Sequence, residues 1–264
     1  MAAVVLSTCG RKIIHPIREV GLLHRDNESA MANRRSILKA GAVLAVSMAS
    51  RTEASSMKHV LMLGDSIFDN GAYVGGAPDV RAQVQALMPV IEVSFLARDG
   101  AVISDIHAQL GRASQGATHV VVSIGGNDAL KASGVLEERV SDVSGALERL
   151  RLIAEGFRQS YASMMKLLSG QNASIAVCTI YEPRFPDPAR RRSAATALSI
   201  LNDVITRKAF SAGASLIDLR LVCNEDSDFA NAIEPSTTGG LKIARTIARF
   251  VGGQKPSAGV FADP

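Results

Sequence analysis

Aromatic residues make up only 4% of this chain and tryptophan is absent. With 47% of the 264 residues apolar, one sizeable core has to be packed mainly by Ala, Val, Leu and Ile. No basic stripe is interleaved with aromatics, which argues against a nucleic-acid surface. The net charge of +4 is modest, and part of it lies in the first 51 residues. Cysteine is also scarce: Cys9 lies in an N-terminal extension, while Cys178 and Cys223 belong to no CxxC or other metal-ligand spacing. Two buried thiols are therefore expected rather than a disulfide or a reactive pair. The five histidines form no HExxH or similar cluster, and none follows His119. Neither GxxxxGK nor GxGxxG follows the first predicted strand. Zinc, nucleotide and any other cofactor are accordingly not called for.

Long apolar runs are missing too. Ala40 to Ala49 is mildly apolar, but about ten residues fall well short of the roughly twenty that span a bilayer, so no stable membrane insertion is expected. That run follows Asn33-Arg34-Arg35-Ser36-Ile37-Leu38-Lys39 and precedes the polar Arg51-Thr52-Glu53-Ala54-Ser55-Ser56. Paired arginines, a short apolar run and then small residues resemble a twin-arginine export signal. Residues before Met31 fit no part of such a signal, which points to a translation start at Met31. Residues 1–56 are thus expected to be an export signal, and the mature protein periplasmic or secreted. The competing reading is a cytoplasmic protein starting near Met57 behind a disordered extension.

What is present is an alternation of short apolar runs and helical patterns. Lys58 to Leu63 reads as a buried strand that breaks at Gly64-Asp65-Ser66. Asp79 to Leu87 has helical spacing, Val90 to Leu96 is a second strand ending near Gly100, and Ser104 to Leu110 a second helix. His119 to Ile124 is a third strand running into Gly125-Gly126-Asn127-Asp128. A long helix follows, with Val140, Val143, Leu147, Leu150, Ala154, Phe157, Tyr161 and Met164 forming an apolar stripe towards a sheet. Ile175 to Ile180 is a fourth strand, Tyr181 to Pro188 a rigid loop, Ala194 to Phe210 a helix, Ala214 to Leu219 a fifth strand and Thr237 to Val251 a closing helix. Such alternation implies parallel strands joined by right-handed crossovers, hence a three-layer, doubly wound α/β domain over residues 57–252 with a loose tail at 253–264.

In a parallel sheet all carboxyl ends lie on one edge, so Ser66, Gly100 and Asn127 should converge there. A hydroxyl nucleophile beside backbone N–H groups and a side-chain amide is a layout for acyl transfer, the donors holding the developing oxyanion. Gly64-Asp65-Ser66, then Gly100, then Gly125-Gly126-Asn127-Asp128 resemble the SGNH, or GDSL-type, esterase and lipase superfamily. The resemblance implies a flavodoxin-like sheet of five strands flanked by helices. It makes Ser66 the nucleophile, with the Gly100 N–H and the Asn127 amide as oxyanion donors. It also implies a small-molecule or glycan ester as substrate.

The fourth motif departs from that pattern. The superfamily usually carries Asp-x-x-His before a Pro and a Gly-containing helix start, whereas this chain has Asn231-Ala232-Ile233-Glu234-Pro235 followed by Gly239-Gly240-Leu241-Lys242. Asn231 stands where the acid is expected and Glu234 where the histidine is expected. A free Glu, with a pKa of about 4.3 against about 6.5 for His, is the weaker base unless burial raises it. Two functions follow: a serine esterase using Glu234 as base, or a silent binding protein for esters or O-acylated glycans that kept the cleft. Asp228 and Glu182 are other carboxylates that could stand at Ser66. Bland roles are expected elsewhere: Asp65 bonding the turn backbone, Asp128 as an N-cap, His59, His107 and His119 away from the site, and Arg190-Arg191-Arg192 as a solvated face.

Overall fold

The computed structural model describes residues 57–255. The export-like segment within residues 1–56, and positions 256–264 of the expected tail, lie outside the described residues.

Five strands form one sheet in the order β2-β1-β3-β4-β5: β1 (His59–Gly64), β2 (Glu92–Phe95), β3 (His119–Ser123), β4 (Ser174–Cys178) and β5 (Ser215–Ile217). Every pairing is parallel. The predicted three-layer α/β sheet is therefore correct, and the order is the flavodoxin-like one, with the chain reversing direction of travel between β1 and β3. All six residues of β1 are buried, so the strand reads as a continuous apolar run rather than an alternating one. Alternate side chains still part to the two faces. Leu61 and Leu63 pack with α2 (Ile106–Gly111), α4 (Val143–Ser169) and α5 (Pro188–Ser211). Val60 and Met62 pack with α1 (Val80–Leu87), the single-turn α6 (Leu219–Val222) and α7 (Thr237–Val251).

Side-chain caps set several helix starts. Asp79 accepts from the Ala82 N–H, Asp187 from the Ala189 and Arg190 N–H groups, and Ser236 from the Gly239 N–H. With Pro188 in its first turn, α5 begins six residues before the predicted Ala194. The segment after β3 also differs. It holds α3 (Gly126–Ala132), a 3-10 turn at Ser133–Glu137 and only then α4. Val140, Val143 and Leu147, predicted to face the sheet, are 42%, 75% and 58% exposed. Val140 precedes the Asp142 N-cap and lies outside α4; for Val143 and Leu147 the reason is length, because a helix of 27 residues runs about 40 Å, whereas strands of three to six residues run about 10–20 Å. The first turns of α4 thus have no sheet to cover, and burial begins at Ala154.

The sheet delivers Ser66 through a tight crossing at Gly64, whose φ is +137°. A Cβ there would sit 1.9 Å from the Ser123 carbonyl oxygen. The buried Gln109 amide clamps the same residue, its Oε1 accepting from the Gly64 N–H and its Nε2 donating to the Gly64 carbonyl, both at 2.8 Å. Gly64→Ala is expected to cost about 3 kcal/mol or more through combined overpacking and strain. Urea denaturation of the purified variant checks it, and a midpoint equal to wild type contradicts it.

Candidate active site

Ser66 lies one residue beyond that crossing. The Asp65 N–H donates to the Ser123 carbonyl at 3.0 Å, and the Phe68 and Asp69 N–H groups both return to the Asp65 carbonyl at 3.1 Å. The Asp65 carboxylate accepts from the Ile67 N–H at 3.1 Å, the turn-bonding role expected of it. Ser66 itself is 6% exposed. Its Oγ donates to Glu234 Oε1 at 3.0 Å, across 168 residues of sequence.

Asn127 occupies the first turn of α3, and its Nδ2 donates to the Ala101 carbonyl at 2.9 Å. One amide hydrogen is thereby spent on fixing the side chain, and the other has no acceptor among the described residues. Asp128 adds a second tie, accepting from the Ile103 N–H at 3.1 Å. It is not the N-cap that was expected: Gly125 is, at φ +112°, where a Cβ would lie 2.9 Å from the Phe157 ring. Asp128 faces the neighbouring loop instead of the helix start. Through Ala101 the same loop carries Gly100, which has φ +77° and open space where a Cβ would stand. Among the described residues, neither the Ser66 nor the Gly100 N–H donates to a backbone acceptor.

The fourth-motif loop is held from several sides. Asn231 Oδ1 accepts from the Ile233 and Glu234 N–H groups at 2.9 and 3.0 Å. The Tyr181 hydroxyl donates to the Ile233 carbonyl at 2.7 Å, and Asn70 Nδ2 to the Pro235 carbonyl at 3.0 Å. Gly239 is obligatory, because a Cβ would meet the Asp228 carbonyl oxygen at 2.2 Å. Glu234 ends up 5% exposed, with Oε2 buried and unpartnered. Burial pushes its pKa up to about 7, and the nearby Asp99 charge adds to this, while the Ser66 hydrogen bond pulls the other way.

The other carboxylates and the histidines stand elsewhere. Asp228 is buried against Lys242 Nζ at 2.8 Å, and Glu182 is exposed. His59 meets Ser94 Oγ at 2.8 Å and His119 lies edge-on to Phe250, both at the amino-terminal ends of strands; His107 is exposed on α2. Cys178 and Cys223 are free and buried, and burial raises both thiols. Among the described residues no group of three or more His, Cys, Asp or Glu could hold a metal ion, and no helix is long and apolar enough to cross a membrane.

Ser66, Asn127 and Glu234 line one cavity, which continues from these three residues between α3, α4 and α5. Gly100 is not in its wall but on the adjoining loop. The far walls, from Leu130, Leu136, Ile153, Phe185 and Leu198, were not anticipated from sequence. No local pattern marks them, since the wall is assembled from residues about 70 positions apart. The arrangement brings a serine hydroxyl bonded to a buried carboxylate into one cavity with the Asn127 side chain, and among the described residues leaves the Ser66 N–H without a backbone acceptor.

Residues 62–239 match the GDSL-like lipase/acylhydrolase family. No curated protein sequence matches the chain. Among solved structures, the fold is similar to an extracellular lipase from Streptomyces rimosus, at TM-score 0.56 and 17% identity over 72% of this chain and 99% of that one. It is also similar to phospholipase A1 from Streptomyces albidoflavus, at 0.55 and 19% over 73% and 99%. A third is the acetylxylan esterase Axe2 from Geobacillus stearothermophilus, at 0.51 and 19% over 75% and 95%.

Asp65 is fully buried, and burial raises its pKa to about 8, with the Glu234 and Asp128 charges adding to it. An unfolded aspartate ionises near 3.9. The folded chain thus binds the extra proton between those values, and the stability this group contributes at low pH is lost as pH rises through about 8. Asp65→Asn keeps the oxygen that accepts from Ile67. Its melting temperature relative to wild type is expected to rise between about pH 5 and about pH 8. Thermal melts at the two ends check this, and a constant offset contradicts it.

Proposed function

The chain belongs to the GDSL-like lipase/acylhydrolase family, and on that footing we propose that it hydrolyses carboxylic esters through an acyl-enzyme on Ser66, with Glu234 as the base. The observation that carries this reading is the 3.0 Å hydrogen bond from Ser66 Oγ to a buried Glu234 carboxylate. Glu234 takes the Ser66 proton as Oγ attacks the carbonyl carbon. The negative charge that develops on the carbonyl oxygen is met by the Ser66 and Gly100 N–H groups and the free Asn127 amide hydrogen. The tetrahedral centre collapses with cleavage of the bond to the alcohol oxygen, which receives the proton from Glu234. Water then enters, Glu234 accepts its proton, and the acid departs as Ser66 regains its hydrogen.

Burial supplies what the residue type lacks. At about 7 the Glu234 carboxylate is as basic as an ordinary imidazole near 6.5. Exchange of His for Glu therefore changes the charge of the resting base from neutral to negative more than it changes its affinity for a proton. The export-like run around Arg34-Arg35 supports a site of action outside the cytoplasm.

A specific observation favours the rival reading, a silent ester-binding protein: no side chain partners Glu234 Oε2, and Asn231 spends its oxygen on the loop backbone. Fluorophosphonate labelling separates the two. The hydrolase is expected to carry one adduct, on Ser66, and Ser66→Ala to lose hydrolysis of short p-nitrophenyl esters by about 10⁴ or more. Protonated Glu234 cannot accept a proton, so kcat/KM is expected to rise with pH to a plateau, with a midpoint at about 7. Glu234→Gln should remove both the activity and that midpoint; full activity in Glu234→Gln eliminates Glu234 as the base. An unlabelled Ser66, with equal ester affinity in wild type and Ser66→Ala, supports the silent reading.

A further inference from the structure

We infer that the cavity beyond Ser66 is an acyl-chain pocket, and that it makes the protein prefer esters of several-carbon acids over acetyl esters. The inference deepens the hydrolase reading and rests on it for deciding which half of the ester enters. Glu234 has to return its proton to the alcohol oxygen, so the alcohol stays beside the loop that leads into α7. That helix packs with α1 on one face of the sheet. The cavity runs the other way, towards the face covered by α4 and α5. The acyl half is the part of the substrate on that side.

The chemistry of the walls points the same way. From α3 and the following 3-10 turn come Leu130 and Leu136, from α4 Ile153, and from α5 Ala197 and Leu198, with Phe185 at the loop before it. These side chains offer no hydrogen bond. The charged side chain on this wall, Arg190, is about half exposed, lies over the Phe185 ring at 5.0 Å and stands 3.9 Å from Glu137. Its charge is therefore kept at the rim instead of inside. An acetyl group would leave such a wall in contact with water, whereas each added methylene is transferred out of water onto it; a sugar ring would find on that wall only the Ser133 hydroxyl and the Arg190 guanidinium at the rim for its several hydroxyls. A methylene buried in this way is worth about 0.8 kcal/mol, or roughly 3–4-fold in kcat/KM.

The test holds the alcohol constant and varies the acid. With p-nitrophenyl acetate, butyrate, hexanoate and octanoate, kcat/KM is expected to climb by on the order of 100-fold from acetate to hexanoate. Octyl acetate, which puts the chain on the alcohol, should not share the gain. Ala197→Phe fills the cavity from α5 and is expected to lower the octanoate-to-acetate ratio by at least about tenfold, while fluorophosphonate labelling of Ser66 reports that the variant is folded. A wild-type enzyme that prefers acetate, or one that gains equally from octyl acetate, overturns the pocket and leaves the hydrolase reading standing. Calorimetry on Ser66→Ala decides the matter independently of turnover. Methyl octanoate should bind more tightly than methyl acetate, and Ala197→Phe added to that variant should abolish the difference. Equal or absent binding of the two esters overturns the proposal even for a protein that cleaves neither.

Discussion

The molecule turns on how β1 leaves the sheet. From Val60 to Leu63 the strand is apolar and buried on both faces, and it ends against its neighbour: the Gly64 α-carbon faces the Ser123 carbonyl at a distance that excludes any Cβ. The same carbonyl accepts the Asp65 N–H, and Gln109 satisfies both backbone groups of Gly64. Both backbone groups of Gly64 and the Asp65 N–H are thereby paired, which is the condition for burying the main chain at this exit. Ser66 inherits its position from this crossing and not from contacts of its own. Its only side-chain hydrogen bond among the described residues is the one to Glu234.

Desolvation acts on that pair in two ways. It raises the proton affinity of Glu234, which suits a base, and it raises Asp65 so far that a second negative charge beside Ser66 is avoided at neutral pH. Two ionised carboxylates flanking one serine would oppose the oxyanion that acyl transfer develops. With Asp65 neutral, the proposed mechanism has only one charge to manage, and that charge would leave Glu234 as the oxyanion forms, since Glu234 would then be protonated. On that reading net negative charge is moved within the site, from base to substrate, rather than created there. The Ser66 and Gly100 N–H groups and the Asn127 amide are the donors that the proposed mechanism sets on the receiving side.

Much of this was legible in the sequence because it is local. The strand at Lys58 to Leu63, the Gly-Asp-Ser break and the closing helix from Thr237 to Val251 each carry their signal within a few residues, as a β-type apolar run, a breaker or a capped apolar stripe. The parallel sheet followed from the alternation of elements. What was not legible depends on distances between elements. Val140, Val143 and Leu147 have the right spacing for a buried face, but spacing says nothing of whether a sheet lies opposite, and the helix outruns the strands. Asp128 has the right type for an N-cap, yet its carboxylate found the Ile103 N–H on another loop. The cavity is the extreme case: Leu130, Ile153 and Leu198 are ordinary helix residues until three helices bring them together.

The fourth motif departs from Asp-x-x-His, and its surroundings fit the residues that stand there. In an Asp-x-x-His arrangement the acid would orient the base through a side-chain hydrogen bond. Asn231 instead caps the loop backbone, taking the N–H groups of Ile233 and Glu234. Orientation of Glu234 then comes from the main chain, itself fixed by Tyr181, Asn70 and the close approach of Gly239 to Asp228. A carboxylate needs less of such help than an imidazole: it has no tautomer to select, and either oxygen can accept the serine proton. What it would need as a base is a raised pKa, and burial of the carboxylate supplies that. On the proposed reading, the absence of an Asp-x-x-His pair and the presence of Asn231 and Glu234 form one coherent arrangement, in which the main chain does the orienting that a side-chain acid would otherwise do.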